Sequence, residues 1–94
     1  MKNKAEVVII GAGIVGSSIA YNLAKKGCKD VIVLEKEPYF AGWSTGKAAG
    51  GIRAQFANEI NIKISLWSEN ILEKFSQEME CDAAFDQVGY LFLL

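Results

Sequence analysis

Three glycines and one acidic residue have the types and the spacing that bind an anionic ligand through the backbone. Gly11, Gly13 and Gly16, in the stretch GAGIVG, have the spacing G-x-G-x-x-G, and Glu35 follows about 20 residues later. In such a motif the first glycine permits a tight turn and the second leaves room for a pyrophosphate against the backbone. The third lets a helix pack closely on a strand. We therefore expect a phosphate-binding turn at these residues.

The residues around that turn indicate which ligand it would hold. The amides from Gly13 through Ile14 to Val15 open a helix, where unpaired N–H groups and the helix dipole favour a phosphate. The carboxylate of Glu35 can accept hydrogen bonds from a ribose diol. It would repel a 2′-phosphate, and Lys36 weakens that exclusion only slightly. These residues predict an adenine-dinucleotide site that disfavours NADP. The alternative is that the glycines serve packing alone and Glu35 is a solvated carboxylate.

The elements that must position these residues follow from the pattern of apolar side chains. A β-branched run over 6–10 predicts a buried strand, and the apolar stripe over 14–26 predicts a helix. A second apolar run over 30–35 predicts another strand. Strand, helix and strand within residues 6–35 form a βαβ unit with a right-handed crossover. The predicted fold class is α/β, with a Rossmann-like unit of a doubly wound parallel sheet.

The rest of the chain is predicted to continue as a loop, a helix and a strand. Small residues dominate 39–53 and predict an extended loop with room for a short helical turn. Over about 58–80, apolar residues recur at three- and four-residue steps after Asn58, a suitable N-cap, which predicts an amphipathic helix. The apolar run over about 87–94 predicts a strand. Its abrupt end and the small number of strands lead us to expect that residues 1–94 are the N-terminal part of a larger protein, or need a partner to cover their faces.

Composition excludes several classes of function. The 94 residues are 51% hydrophobic and 22% charged with a net charge of −1, as in soluble globular proteins. The lysines are spread without a basic cluster, so no nucleic-acid partner is expected. The sequence holds no histidine, which argues against zinc and haem sites and against imidazole catalysis. Cys28 and Cys81 stand apart and are expected to be reduced, which favours a cytoplasmic protein.

An uncharged run from Val7 to Ala24 comes close to the length of a membrane span. Three glycines interrupt its centre and its first residues are β-branched, which indicates a strand and a helix instead. A secretory signal is the other alternative because residues 1–4 are basic. Glu6 interrupts the junction, however, and no cleavage site stands apart from the apolar run. We therefore expect no membrane span.

The glycine motif does not by itself distinguish FAD from NAD, and the residues after it bear on that choice. Small residues can lie against a flat ring and their hydroxyls can donate to phosphate, but the same composition suits a flexible surface loop. The segment LEKEPYFAGWSTGKAAGGIRAQF resembles the segment after the second strand in flavoproteins of the D-amino-acid oxidase (DAO) superfamily. It most resembles the branch with the sarcosine oxidase β subunit, glycine oxidase and dimethylglycine dehydrogenase. The resemblance covers nearly the whole chain from Glu6.

The resemblance implies a set of flavin contacts. In that family a stretch S-T-x-x-A-x-G lies along the pyrophosphate and the ribityl chain and reaches the isoalloxazine ring. The resemblance therefore implies FAD as the cofactor, and it implies a second, substrate-binding domain that begins with the strand over about 87–94. The matching residues in this sequence are Ser44, Thr45, Ala48 and Gly50, together with Ala49 and Gly51.

Two basic residues bear on how the flavin would be held. Some members of the family attach it through a histidine where this chain has Lys47, so the resemblance implies non-covalent FAD. Lys47 can place positive charge near the flavin or the phosphates, or it can be a solvated lysine. Arg53 can reach the flavin edge or a substrate carboxylate, or form an ion pair with Glu59 or Asp86. The remaining aromatic residues of note are interpreted as packing residues: Trp43, Trp67 and Tyr90.

The resemblance also implies an enzyme that oxidises an amine. In the family the flavin takes a hydride equivalent from the carbon beside an amine nitrogen, which gives an imine. The expected activity is that of an FAD-dependent oxidoreductase acting on an amino acid or an N-methylated amine. No catalytic residue is assigned in this chain, since the residues that fix the substrate normally lie beyond Leu94, and the 94 residues alone are expected to have no turnover. Two alternatives stay open: an NAD-binding half of a dehydrogenase, and a non-catalytic truncated chain that binds another subunit.

Overall fold

The structure is a computed structural model of the chain, and it describes residues 3–93. The chain divides into two compact units, Met1–Ala49 and Gly50–Leu94. We call them the first unit and the second unit and describe each by itself.

The first unit is built on a parallel β-α-β arrangement. Strand β1 (Val7–Ile10), helix α1 (Ile14–Lys25) and strand β2 (Val31–Leu34) follow one another, and a short helix α2 (Ser44–Lys47) lies in the loop beyond them. The two strands pair in parallel, with Val7 opposite Val31 and Ile10 opposite Leu34. This arrangement confirms the predicted α/β class and the βαβ unit.

Close packing of α1 on β1 depends on a residue without a side chain. Gly16 and Ile9 are the buried residues of this unit within the described range, and they face each other. A Cβ added at Gly16 would overlap the backbone oxygen of Gly11, and it would lie 3.3 Å from Cγ2 of Ile9. Gly16 therefore has the packing role that the sequence predicts for the third glycine of the motif.

The bend between β1 and α1 is fixed by hydrogen bonds and by backbone conformation. The N–H of Gly11 donates to the carbonyl of Leu34 at 2.7 Å, so the strand pairing extends one residue past β1. Gly11 has φ of +103°, a conformation that favours glycine. The N–H of Ala41 donates to the carbonyl of Ala12 at 3.0 Å, which ties the loop after β2 to this bend. The bend and the loop thus meet at the carboxyl ends of both strands.

The second unit contains the long helix α3 (Glu59–Met79). Asn58 caps it as predicted, because its Oδ1 accepts a hydrogen bond from the N–H of Ile60 at 3.0 Å. The apolar stripe of the helix is exposed in this unit, and Ile64 and Trp67 expose 56% and 68% of their surfaces. No helix among the described residues has the length and apolar character that crossing a membrane requires.

One element of the prediction is corrected by the structure. A strand was expected over about 87–94, but residues 87–93 form no strand, and Leu94 lies outside the described residues. A strand is defined by hydrogen bonds to a neighbouring strand, and residues 50–93 contain no second strand that could pair with it. Gly89, with φ of +76°, also turns the chain out of an extended conformation.

Candidate functional site

A cleft of about 330 Å³ opens in the first unit where β1 and β2 end. Its volume is within the range of small-molecule sites in proteins. It also lies at the carboxyl ends of parallel strands, where α/β folds bind their ligands. Six of the residues predicted to bind the cofactor line it: Gly11, Gly13, Glu35, Lys36, Ser44 and Thr45.

The second glycine of the motif, Gly13, is not required by the backbone of the fold, unlike Gly11 and Gly16. Gly13 has φ of −83° and ψ of −172°, an extended conformation that any residue adopts. A Cβ added there would lie 2.9 Å from Oγ1 of Thr45 and would meet no backbone atom within 4 Å. The backbone of the fold therefore does not require glycine at this position, and the absence of a side chain leaves the bend open to close approach from the cleft.

The hydroxyl of Thr45 occupies part of that approach. The first helical N–H of α1, that of Ile14, donates to Thr45 Oγ1 at 2.9 Å. The N-cap residue of α1, Gly13, offers no side-chain acceptor, so the hydroxyl from α2 takes that role. The sequence predicted open amides from Gly13 to Val15, and the structure shows that the Ile14 amide is already engaged. A hydroxyl that accepts one hydrogen bond still has its proton to donate to a ligand in the cleft.

The next two N–H groups of α1, those of Val15 and Gly16, have no acceptor within the helix. The first hydrogen bond within the helix runs from the N–H of Ser17 to the carbonyl of Gly13 at 3.0 Å. The N–H groups of Val15 and Gly16 precede it and have no carbonyl within the helix to which they could donate. Val15 is 70% exposed, and an N–H group at a helix N-terminus favours an anion.

Glu35 is held against the bend by backbone amides. Its Oε2 accepts from the N–H of Ala12 at 2.8 Å, and its Oε1 accepts from the N–H of Glu37 at 3.1 Å. The hydrogen bond from Ala12, followed by that from Glu37, lowers the pKa of the Glu35 carboxyl below its ordinary value. The carboxylate is therefore ionised and oriented at neutral pH. Because each oxygen can accept more than one hydrogen bond, it can still bind a diol.

Sequence reasoning missed the role of Trp43 in this cleft. Trp43 lines the cleft and exposes 59% of its surface, so it is not the packing residue that was predicted. The ammonium of Lys47 lies 3.7 Å from the centre of its ring, and that of Lys36 lies 5.0 Å from it. The available signal was its position, since Trp43 directly precedes the Ser44–Thr45 pair in a loop of small residues.

The other predicted contacts do not gather in this cleft. Ile14 and Val15 lie at the start of α1, and Ala49 is exposed at the end of the first unit. Gly50, Gly51 and Arg53 belong to the second unit.

There, Gly51 and Arg53 line a separate cleft of about 480 Å³. The Arg53 guanidinium lies 4.9 Å from the centre of the Phe56 ring. Within residues 3–93 Arg53 forms neither of the two ion pairs considered for it, with Glu59 or with Asp86. Glu59 pairs instead with Lys63 at 2.6 Å.

Comparison with known proteins finds a family profile and several related proteins that match most of the chain. The family profile described as "DAO: FAD dependent oxidoreductase" matches residues 6–94. Human mitochondrial dimethylglycine dehydrogenase is 46% identical over 98% of this chain and 10% of its own length. FAD-dependent oxidoreductase domain-containing protein 1 of Xenopus laevis is 40% identical over 96% of the chain and 20% of its own length. The mouse mitochondrial pyruvate dehydrogenase phosphatase regulatory subunit is 32% identical over 96% of the chain and 10% of its own length. The chain thus spans a tenth to a fifth of these relatives.

Proposed function

This chain belongs to the DAO family of FAD-dependent oxidoreductases, and from that premise we propose that the cleft of the first unit binds the adenosine diphosphate part of FAD. The observation that carries the proposal is the position of Glu35. Its carboxylate is fixed by the amide of Ala12 at the glycine bend, in the same cleft as the open face of Gly13 and the hydroxyl of Thr45. A diol acceptor and a diphosphate-binding turn therefore share one cleft.

Each group would have a separate task in holding the dinucleotide. Gly13 would let the diphosphate approach the backbone, and the amide of Val15 would donate to it at the helix N-terminus. Thr45 would donate its hydroxyl proton to a phosphate oxygen while it accepts from Ile14. Glu35 would accept hydrogen bonds from the ribose hydroxyls, and its negative charge would repel a 2′-phosphate.

The same reasoning favours a cofactor that is not bonded covalently to this chain. The sequence contains no histidine, and the position at which some family members link the flavin is Lys47. The Lys47 ammonium lies over the Trp43 ring. Acid precipitation tests this part, because a non-covalent flavin would leave with the supernatant and a covalent one would stay with the precipitated protein.

The reaction we propose for the whole protein is oxidation of an amino acid or an N-methylated amine at the C–N bond. The name of the human relative, dimethylglycine dehydrogenase, supports an amine substrate. FAD, when bound, supplies the acceptor for the hydride equivalent that leaves the carbon beside nitrogen. The contribution of this chain is to bind and orient the cofactor. No catalytic residue is assigned to this chain, and the small-molecule substrate would be contacted by other parts of the whole protein.

A second candidate is a non-catalytic role in a complex with another subunit. One relative is named as a regulatory subunit, and its name supports this second candidate.

A cytoplasmic location, expected from Cys28 and Cys81, stays a prediction. Neither thiol forms a disulfide in the structure.

Equilibrium dialysis of the whole protein that carries this chain with FAD, ADP and NAD distinguishes the candidates. Uptake of FAD and ADP, with a flavin absorption spectrum for the FAD complex, is the expected result. Uptake of NAD without FAD would indicate the dehydrogenase alternative, and uptake of none of them the non-catalytic one. Gly13→Val should block uptake of FAD and ADP by filling the approach to the bend, whereas Cys28→Ser, at a half-buried residue outside the cleft lining, should not.

A further inference from the structure

Two lysine ammonium groups lie over one exposed indole ring at the cleft of the first unit. Lys47 Nζ is 3.7 Å and Lys36 Nζ is 5.0 Å from the ring centre of Trp43. Both distances are within the range of a cation–π interaction. Lys36 and Trp43 line the cleft themselves, and Lys47, which is not a lining residue, contacts the ring of Trp43. We call these three residues the Trp43 platform.

Lys36 interacts with the neighbouring Glu35 carboxylate, which offsets part of the platform's positive charge. Within residues 3–93 neither Lys36 nor Lys47 has a carboxylate within ion-pair distance. Glu35 is the acidic residue that lines the cleft, and its two oxygens accept hydrogen bonds from the backbone of Ala12 and Glu37 rather than from either lysine. Two ammonium groups drawn to one ring also repel each other, so the platform is stabilised by a ligand with more than one negative charge.

The ring explains why these lysines can act at a defined position. A lysine side chain loses considerable rotamer freedom when it is ordered, and this loss opposes binding by free surface lysines. Contact with the indole orders both ammonium groups before any ligand arrives, which lowers the remaining cost. The rest of the cleft, at Thr45 and the α1 terminus, offers neutral donors, so the platform supplies its cationic part.

We propose that the Trp43 platform is a two-cation site for the diphosphate of the bound dinucleotide, with Trp43 as the residue that positions Lys36 and Lys47. The proposal rests on the proposed function, since it names the charged contacts of that same cleft. It differs from the alternative that Lys47 acts on the flavin ring. A diphosphate site acts equally on ADP and FAD, whereas a contact to the flavin acts on FAD alone.

Calorimetric titration of the whole protein with ADP, FAD and adenosine, at low and at moderate salt, tests the platform. Lys36→Gln and Lys47→Gln should each lower the affinity for both ADP and FAD by about two- to fivefold at low salt, the range of exposed ion pairs. Both should weaken the dependence of affinity on salt. Trp43→Leu should lower affinity at least as much as either lysine change, while Trp43→Phe should retain most of it. Adenosine binding should be the same in all variants.

Lys63→Gln is the matched control, because Lys63 is an exposed lysine of the second unit whose partner is Glu59. Lysine variants that bind ADP as tightly as the wild type would overturn the platform. So would variants that weaken FAD but leave ADP unchanged, since the charge would then act on the flavin. A wild-type protein that binds neither ADP nor FAD would overturn the proposed function as well, and this outcome is distinct from the other two.

Discussion

Substitution of Gly16 by alanine should destabilise the fold through a clash that the chain cannot avoid. The added methyl group would overlap the backbone oxygen of Gly11 and lie 3.1 Å from its carbonyl carbon. Neither atom can rotate away, so α1 must move off β1 and the packing against Ile9 loosens. Overpacking of this kind costs about 1–3 kcal/mol, and the clash with backbone places this case at the upper end.

The same substitution has a smaller opposing effect. Alanine is favoured over glycine inside a helix by about 1 kcal/mol. The expected net loss in the free energy of unfolding is therefore about 2 kcal/mol, which is roughly a thirtyfold change in the folding equilibrium. Urea denaturation without added ligand, followed by far-UV circular dichroism, measures it.

Gly13→Ala is the matched comparison within the same motif. Gly13 has a conformation that any residue adopts, and its added Cβ would meet only the rotatable hydroxyl of Thr45. Turning that hydroxyl away breaks its hydrogen bond from the Ile14 amide, so we expect the free energy of unfolding to fall by about 1 kcal/mol, less than for Gly16→Ala. The affinity of Gly13→Ala for ADP should fall by about tenfold, because the methyl group fills the approach to the backbone. The reasoning would be refuted by a Gly16→Ala protein as stable as the wild type, or by a Gly13→Ala protein that is the less stable of the two.

Other outcomes follow from individual contacts. Thr45→Val should lower ADP affinity and Thr45→Ser should preserve it, because only the valine lacks the hydroxyl that would donate to a phosphate oxygen; equal affinities in a dialysis series would contradict this. Because hydrogen bonds lower the pKa of Glu35, the stability it adds over Glu35→Gln should be complete above the ordinary glutamate pKa of about 4.3. It should then be lost as pH falls through the lower folded pKa; urea titrations from pH 6 to pH 3 would show the difference narrowing, and a widening difference would count against it. Asn58→Ala should lower the free energy of unfolding in urea by about 1 kcal/mol and Asn58→Asp should not. An alanine variant as stable as the wild type would show that the cap contributes nothing. Partial burial and nearby carboxylates raise the pKa of Cys28, so iodoacetamide near neutral pH should label the exposed Cys81 first. Faster labelling of Cys28 would contradict its raised pKa, and equal labelling rates of the two thiols in urea are the control.

Local pattern was enough to predict the framework of the first unit. The β-α-β arrangement, the turn at Gly11 and the packing role of Gly16 each depend on residues close together in sequence. Glycine spacing and β-branched runs encode such short-range constraints directly. Glu35 is a predicted residue whose placement needs a long-range contact. It was predictable because the parallel register brings the ends of β1 and β2 together.

The contacts inside the cleft were harder to predict because they join distant parts of the chain through side chains. Thr45 accepts from Ile14 across 31 positions of sequence, and nothing in the local pattern of either residue selects that pair. The lysines on Trp43 present the same difficulty, since a tryptophan in a loop of small residues is compatible with packing as well as with exposure. A motif specifies which backbone atoms are available, whereas the side chains that reach them depend on how the loop closes.

In the second unit the sequence pattern predicted the helix but did not predict which surfaces are covered. The three- and four-residue spacing over α3 predicted a helix with an apolar stripe, and the helix is formed, yet Ile64 and Trp67 in that stripe are exposed. The apolar run over about 87–94 was interpreted as a strand, and residues 87–93 form none. A helix makes its backbone hydrogen bonds within the segment itself, so it needs no neighbouring segment to complete them. A strand and a buried stripe both require a second surface, and a sequence pattern describes only one of the two surfaces that must meet.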